Sequence, residues 1–329
     1  MRFTKLLLIQ FMISAVCISG CAFDANNDIS NTENSSYSEE NYNSKESETS
    51  PYDLSFAVFG DVHDNESDFQ DAVDDIKNTD IKLDALVLNG DTVDQGIDSQ
   101  YETMTNALEK NSEKLPDVII KNIGNHEFYN YEQSNKTKED VDEKIQKYLD
   151  FAGEDKVYHD KWVKGYHFIS LGSEDGNSPT CSSTSAYFSD AQINWFKEKL
   201  AENYECGRPI FVFIHQPLIF NWGWGDIPGS NKTDTLTKIL SEYPEAIVFT
   251  SHIHKQMSDE CINTDKIFTT AQTGAVSYTL FINSDGSVSR DYSFTNGLYV
   301  TVIGNDVTIK GRDLKNGAWI CSKDITFKK

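Results

Sequence analysis

The sequence predicts an α/β fold in which two β-sheets face each other, and three patterns lead there. Six apolar runs of strand length each end in a polar loop, as buried strands do. Stretches with helical periodicity lie between several of these runs. The first three runs recur about every 30 residues, the length of one βαβ unit. A chain of 329 residues suits one large domain, or one domain with tails, and its 38% of hydrophobic residues can supply a core.

The first residues stand outside that fold. Arg2 and Lys5 make a short basic start, and Leu6–Ile18 is apolar but too short for a membrane span, which together read as a signal peptide. Ile18-Ser19-Gly20-Cys21 comes next and resembles a bacterial lipobox, whose cysteine takes a lipid and becomes the new N-terminus. The expectation is a lipoprotein signal peptide over 1–20 and a protein held on the outer face of a bacterial membrane through Cys21. An ordinary signal peptide with an incidental Cys21 is the other reading. Residues 22–52 are rich in Asn, Ser and Glu and hold almost nothing apolar, so 21–52 is read as the lipid anchor and a disordered acidic linker. One folded domain is expected over 53–329.

Within it, buried strands are expected at LSFAVFGD (54–61), LDALVLNGD (83–91), DVIIKNIGNHE (117–127), GYHFISLGSE (165–174), RPIFVFIHQP (208–217) and EAIVFTSHIH (245–254). Helices are expected over Glu66–Asn78, Gln100–Lys110, Lys136–Phe151, Ser189–Glu202 and Lys232–Tyr243. Ser189 reads as the N-cap of the fourth, with Gln192 at the capping-box position. The tail alternates in strand fashion at KIFTTA (266–271), SYTLFI (277–282), LYVTVI (298–303) and DVTIKG (306–311), and these strands are expected to complete the core.

The formal net charge of −23 repels polyanions and argues against a protein that coats nucleic acid. It does not exclude a small phosphorylated ligand, because bound divalent metals reverse the sign locally. Beyond Cys21, Cys181, Cys206, Cys261 and Cys321 are widely spaced without a CxxC pattern, so no zinc knuckle is indicated. Outside the cell they could form two disulfides, and the three possible pairings stay open.

The residues directly after each strand carry the chemistry. The first three strands end in Gly60-Asp61-Val62-His63-Asp64, Gly90-Asp91-Thr92-Val93-Asp94 and Gly124-Asn125-His126-Glu127. Later ones end in His215-Gln216-Pro217 and Ser251-His252-Ile253-His254. In α/β sheets ligands bind at such C-terminal strand ends. Asp61 and His63 are two apart, so in extended chain both side chains point the same way, and so do His252 and His254; such pairs can grip a metal. Asn125 and His126 are adjacent and diverge, which suits one ligand and one residue free to act on substrate. Five of the seven histidines fall in these motifs, and the other two, His159 and His167, are read as packing or surface residues. Singly, each piece has an ordinary reading: Gly-Asp as a turn, His215 as a core histidine.

Together the five pieces resemble the calcineurin-like metallophosphoesterases, whose signature runs GDxH, GDxxD, GNH[DE], a lone His, then GHxH. The resemblance spans residues 54 to 275 or so. It implies a four-layer α/β/β/α sandwich of two facing mixed β-sheets flanked by helices. It implies that Asp61, His63 and His254 hold one metal, that Asn125, His215 and His252 hold a second, and that Asp91 bridges them. Imidazoles with a few carboxylates suit transition metals such as Mn, Fe or Zn better than calcium or magnesium. The implied reaction is hydrolysis of a phosphomonoester or phosphodiester by a hydroxide between metals about 3.5–4 Å apart. His126 would assist the leaving oxygen, and Asp94 would orient His126. Turn capping is the other reading of Asp94.

Departures narrow the branch. Ser251 stands where the family usually has Gly, which touches the turn and no ligand. Purple acid phosphatases carry Tyr at the position of Asp94. Protein Ser/Thr phosphatases carry Arg at the positions of Gln95 and Ile123. Beyond the signal segment only Arg208, Arg290 and Arg312 remain, and none adjoins a motif. Phosphate binding is therefore expected from the metals, His126 and Asn125. Phe128, Tyr129, Tyr131, Trp222 and Trp224 lie just after the motifs and can stack on a base or sugar, or simply pack the loops. Expected substrates are small phosphorylated molecules or phosphodiesters of the cell envelope. The rival reading is a catalytically silent lipoprotein of this fold, acting in binding or metal capture; such a protein would usually lack a ligand or His126, and none is missing.

Overall fold

The computed structural model describes residues 50–221 and 226–328. The expected signal peptide, Cys21, the linker as far as residue 49, Trp222 and Trp224 lie outside those residues. In chain order the elements are β1 (Leu54–Phe59), α1 (Glu66–Ile76), β2 (Ala85–Asn89), α2 (Asp98–Lys110), β3 (Val118–Asn122), α3 (Lys138–Ala152), β4 (His159–Val163), β5 (Tyr166–Leu171), α4 (Asp190–Ala201) and β6 (Ile210–Ile214). They continue with a short hairpin of β7 (Ile219–Asn221) and β8 (Asp226–Pro228), then α5 (Thr233–Leu240), β9 (Ala246–Thr250), β10 (Ile262–Asn263), β11 (Thr269–Gln272), β12 (Thr279–Ile282), β13 (Val288–Asp291), β14 (Asn296–Ile303), β15 (Asp306–Asp313) and β16 (Ala318–Thr326).

The strands form two six-stranded mixed sheets, ordered β16-β15-β14-β1-β2-β3 and β10-β11-β9-β6-β5-β4. In the first, β1, β2 and β3 run parallel while β14 to β16 are antiparallel. In the second, β5, β6, β9 and β11 run parallel between antiparallel edges.

Period-two alternation on doubly buried strands builds the layers. In β1, Leu54, Phe56 and Val58 enter the core between the sheets, whereas Ala57 and Phe59 enter the core under the helices. The outer face of the first sheet packs Leu86 and Leu88 against Phe69, Val73, Met104 and Tyr148 of α1, α2 and α3. The outer face of the second packs Val212 and Val248 against Ile193, Phe196, Leu236 and Leu240 of α4 and α5. The result is the α/β/β/α sandwich. At its centre the Phe56 ring sits 4.9 Å from Phe168, 4.8 Å from Phe211, 5.8 Å from Phe249 and 6.3 Å from Phe213, so one side chain of the first sheet meets four of the second.

Several elements differ from expectation. SYTLFI does not join a core sheet: β12 pairs only with β13, as a separate hairpin. The edge strands β4 and β16 carry little alternation: β16 is exposed along most of its length, and β4 buries only its two end residues, His159 and Val163. Ser189 does cap α4 through Gln192 N–H, but the Gln192 side chain turns inward to Gly172 and Glu174 instead of closing a capping box. Thr137 and Asp140 close one on α3. Cys181, Cys206, Cys261 and Cys321 are free thiols, the first, third and fourth buried. His159 and His167 are packing residues, bonded to the Lys121 carbonyl and to Asp160. No described helix is long and apolar enough to cross a membrane.

Phe56→Ala should cost about 3–5 kcal/mol, because the facing sheets cannot close on the void. A urea titration reads this as a lower midpoint at unchanged slope. A loss under about 1 kcal/mol would mean that the aromatic cluster does not hold the sheets together.

Candidate metal centre

The parallel strands of both sheets end at one edge of the sandwich, and their loops interlock. Asp61 N–H donates to the Gly90 carbonyl, His63 N–H to Asp91 and Ser251 N–H to His215. Below the loops the sheets are pinned by polar contacts: Asn122 donates to Asn89, and Asn89 to the Ser251 hydroxyl, which also accepts from Thr273. Ser251 thus makes contacts that a glycine could not.

Convergence is achieved by a route the extended-chain spacing does not anticipate. Among the described residues nine non-glycine residues have positive φ, and six of them are Asp61, His63, Asp64, Asp91, His252 and His254, at +47° to +75°. Asp and His tolerate this region better than most residues, yet each still costs on the order of 1 kcal/mol, and such strain collects at functional sites. The left-handed turns coil each motif so that its donors point to one spot. Two motif glycines are required by the same crowding. Gly90 has φ +84°, and a Cβ there would meet the His215 ring at 2.5 Å. A Cβ on Gly124 would fall on Asp91 Oδ1.

The seven expected ligands come together. Asp61, His63 and His254 place their donor atoms within 4.8 Å of one another, and so do Asp91, His215 and His252. His63 Nε2 is 3.1 Å from His254 Nε2, and His254 Nε2 is 3.4 Å from Asp61 Oδ1. Asp91 Oδ2 lies 3.1 Å from His215 Nε2 and 3.9 Å from His63 Nε2, between the two groups. Asn125 Oδ1 stands 3.2 Å from His215 Nε2. His63, Asp91 and His126 form a third trio within the same limit. Outer contacts fix the rings: His215 Nδ1 bonds the Asn89 carbonyl and His254 Nδ1 the Tyr278 carbonyl, each at 2.8 Å. An Nδ1–H donated to a carbonyl leaves Nε2 as the lone pair, as metal-binding imidazoles require.

His126 and Asp94 meet as well, though not as expected. The nearest partner of His126 Nδ1 is the backbone carbonyl of Asp94, at 2.8 Å. The Asp94 carboxylate is shared, 3.3 Å from His126 Nδ1, 3.3 Å from His63 Nδ1 and 3.1 Å from the Tyr131 hydroxyl.

Electrostatically, the cluster opposes its own charges. Burial pushes Asp61 up to about 8, His215 opposing and the Asp91 charge adding to the rise. Burial takes His252 down to about 3 and also lowers His63 and His254. Burial disfavours charge on His215 too, but the adjacent carboxylates of Asp91 and Asp61 lift it to about 10. Burial likewise opposes charge on His126, while Asp91 and Asp94 lift it to about 9. Three imidazoles, His63, His252 and His254, favour neutrality, and His215 draws its charge only from the buried carboxylates beside it; such a set fits divalent cations of the Mn, Fe or Zn kind, which would answer the anions without protonating the rings.

Three further residues have structural duties not read from the motifs. Glu127 is buried and accepts N–H bonds from Asp91 at 3.1 Å, Thr92 at 2.8 Å and Gly124 at 2.7 Å, so it ties the second motif to the third. Ser277 donates its N–H and hydroxyl to the Asp61 carbonyl, and Tyr278 receives His254. The motif itself marks Glu127; Ser277 and Tyr278 have no sequence signal. The Tyr129 ring lies 4.3 Å from the His126 ring, tilted by 42°, and Phe128 is fully buried, so these two aromatics divide between the site and the core.

The family model for calcineurin-like phosphoesterases matches residues 54–256. No curated protein matches the chain. Among solved structures, the fold is similar to a purple acid phosphatase from yellow lupin seeds, with a TM-score of 0.55 at 14% identity, covering 83% of this chain and 53% of that one. The chain thus spans about half the length of the lupin enzyme. It is also similar to GAP50, the anchor in the inner membrane complex of Plasmodium, with a TM-score of 0.53 at 15% identity, covering 84% and 89% of the two chains.

Glu127→Ala strips three buried N–H groups of their acceptor. At about 1–3 kcal/mol for each unanswered group, the expected destabilisation is at least about 3 kcal/mol by urea titration. Glu127→Gln keeps one acceptor oxygen and should fall between. A loss below about 1 kcal/mol would show that the loops are held by other contacts.

Proposed function

This chain belongs to the calcineurin-like phosphoesterases, and on that premise we propose that it is a binuclear-metal hydrolase of phosphomonoesters or phosphodiesters working outside the cytoplasm. The observation that carries the reading is the buried convergence of Asp61, His63 and His254 beside Asp91, His215 and His252. Divalent cations held there supply the positive charge that activates a water and neutralises phosphoryl oxygens.

The chain's own residues do the rest. Asp91 Oδ1 accepts the His126 N–H at 2.8 Å, which turns Oδ2 to the middle of the two donor groups, where it can serve both. The Asn125 amide oxygen points to the His215 group, and its nitrogen donates to Tyr129 at 3.1 Å, which fixes the amide's orientation. His126 has Nδ1 engaged and Nε2 open, and it is the partly exposed imidazole of the group. As water attacks phosphorus and releases one proton to solvent, the bond to the leaving oxygen breaks, and protonated His126 gives that oxygen the proton on Nε2. The nearby carboxylates favour the protonated ring that this step needs. Asp94 positions His126 through its backbone carbonyl first and its carboxylate second.

The location rests on the sequence of the first residues: a basic start, an apolar stretch, and Ile18-Ser19-Gly20-Cys21. We propose a lipid on Cys21 and a domain standing clear of the membrane on the acidic linker.

Purified protein loaded with Mn, Fe or Zn should release nitrophenol from para-nitrophenyl phosphate or its bis ester, and Asp91→Asn should abolish turnover. His126→Asn should lower kcat by about 100-fold or more. Asp94→Asn should lower it less, because the backbone contact survives. Metal bound at two per chain without turnover of any ester would instead favour the silent, ligand-binding reading. Cys21→Ser should end palmitate labelling and move the protein from the membrane fraction to the soluble fraction; a variant that stays membrane-bound would remove the lipid anchor from the proposal.

A further inference from the structure

The β12–β13 hairpin is rooted on the metal loops. Val276 N–H donates to the Gly60 carbonyl and Ser277 N–H to Asp61, and Leu280 N–H donates to His254 at 2.9 Å. Tyr278, between them, stacks on the His254 ring at 4.2 Å with 25° between planes. Arg290, paired opposite Leu280 in the hairpin, lays its guanidinium 4.4 Å from the centre of the same tyrosine ring. An arginine distant from every motif in sequence therefore stands one aromatic ring beyond a metal ligand. Burial disfavours its charge somewhat, while hydrogen bonding with Tyr292 favours it. The Tyr278 ring also lies 5.5 Å from the His63 ring, and Arg290 is exposed on the far face of that tyrosine, so it stands at the solvent-facing edge of the centre.

The other two arginines are committed elsewhere. Arg312 is buried against Asp75, with its Nη2 2.8 Å from Oδ1. Arg208 gives Nη2 to the Gly165 carbonyl at 2.7 Å and stacks on Tyr166. Among the described residues Arg290 forms no ion pair with a carboxylate, although the chain has 52 acidic residues. Held by its contact with Tyr278 and its hydrogen bond with Tyr292, and without a carboxylate partner among the described residues, the guanidinium keeps further N–H donors for a planar or tetrahedral oxyanion. One ring away from His254 it is too far to grip a phosphate lying on the ligands themselves. It can reach a group attached to that phosphate.

We infer that Arg290 is a specificity-determining residue that binds a second anionic group of the substrate, so that the preferred substrates are small phosphate esters carrying a further phosphate or carboxylate next to the reacting one. This rests on the phosphoesterase reading of the centre. Tyr278 and Tyr292 are positioning residues for the guanidinium, and they link substrate selection to the hairpin that also orients His254.

The test is binding, so it does not depend on turnover. Methylphosphonate and phosphonoacetate differ by one anionic group and cannot be hydrolysed. Each is titrated by calorimetry into the full chain at fixed free Mn²⁺. Wild type should prefer phosphonoacetate by about tenfold or more, the worth of a hydrogen bond to a charged group. Arg290→Ala should reduce that preference to within about twofold, and Arg290→Lys, which keeps the charge without the fork, should retain part of it. A wild type that shows no preference, or binds neither ligand, overturns the inference, as does an Arg290→Ala protein that keeps the preference. Failure of the hydrolase reading shows separately, as absent phosphate release from every ester.

Discussion

The Asp91 carboxylate and its own peptide are the point from which the rest of the centre hangs. One residue receives His126 on Oδ1 and faces His215 with Oδ2. It offers its N–H to Glu127 and its carbonyl to His63, and it does so from a left-handed backbone at φ +50°. Four motifs are thereby referred to a single residue. That arrangement is stable only because the strands beneath are anchored on both faces, with the phenylalanine cluster between the sheets and the helices outside. A rigid sandwich over-determines the loops, and over-determined loops can hold six strained residues and a set of buried charges. Loops of the same sequence without that frame would relax to ordinary turns.

Much of this is legible in the sequence, and the parts that are not share one cause. Strands buried on both faces announce themselves as apolar runs, and their termini as Gly-Asp, Gly-Asn or His. All seven proposed ligands, His126 and Asp94 lie at those termini and do meet in space. The failures are half-exposed or long-range. Strands β4 and β16 sit at sheet edges and lack a clean period. SYTLFI has the alternation of a core strand, but its partner is a strand whose pattern, VSRD, is almost all exposed, so the pair stands alone. Extended spacing predicts that Asp61 and His63 point together, and they do converge, but through a left-handed coil of the chain. Arg290 adjoins no motif in sequence, and only folding brings it to His254.

Ser251 shows how a departure from a family pattern can be absorbed. Its position ordinarily takes Gly, and the turn could have suffered. Instead the hydroxyl accepts from Asn89, at the end of β2 in the first sheet, and from Thr273, directly after β11 of the second, and so strengthens the seam under the histidine cluster. The departure changes how the sheets are joined and leaves the donor set intact, because no ligand depends on that side chain.

The rooting of the β12–β13 hairpin has an evolutionary consequence. Its base touches the Asp61 and His254 loops through Val276, Ser277 and Tyr278, whereas the residues of its far end, from Asn283 to Ser289, are exposed. Drift there is buffered from the ligands by the three-residue base. A lineage could lengthen the tip, recharge it or replace it without disturbing the cluster of aspartates and histidines. The same property makes the hairpin a natural cassette for grafting, in which new selectivity is written onto an old centre by exchanging a dozen residues.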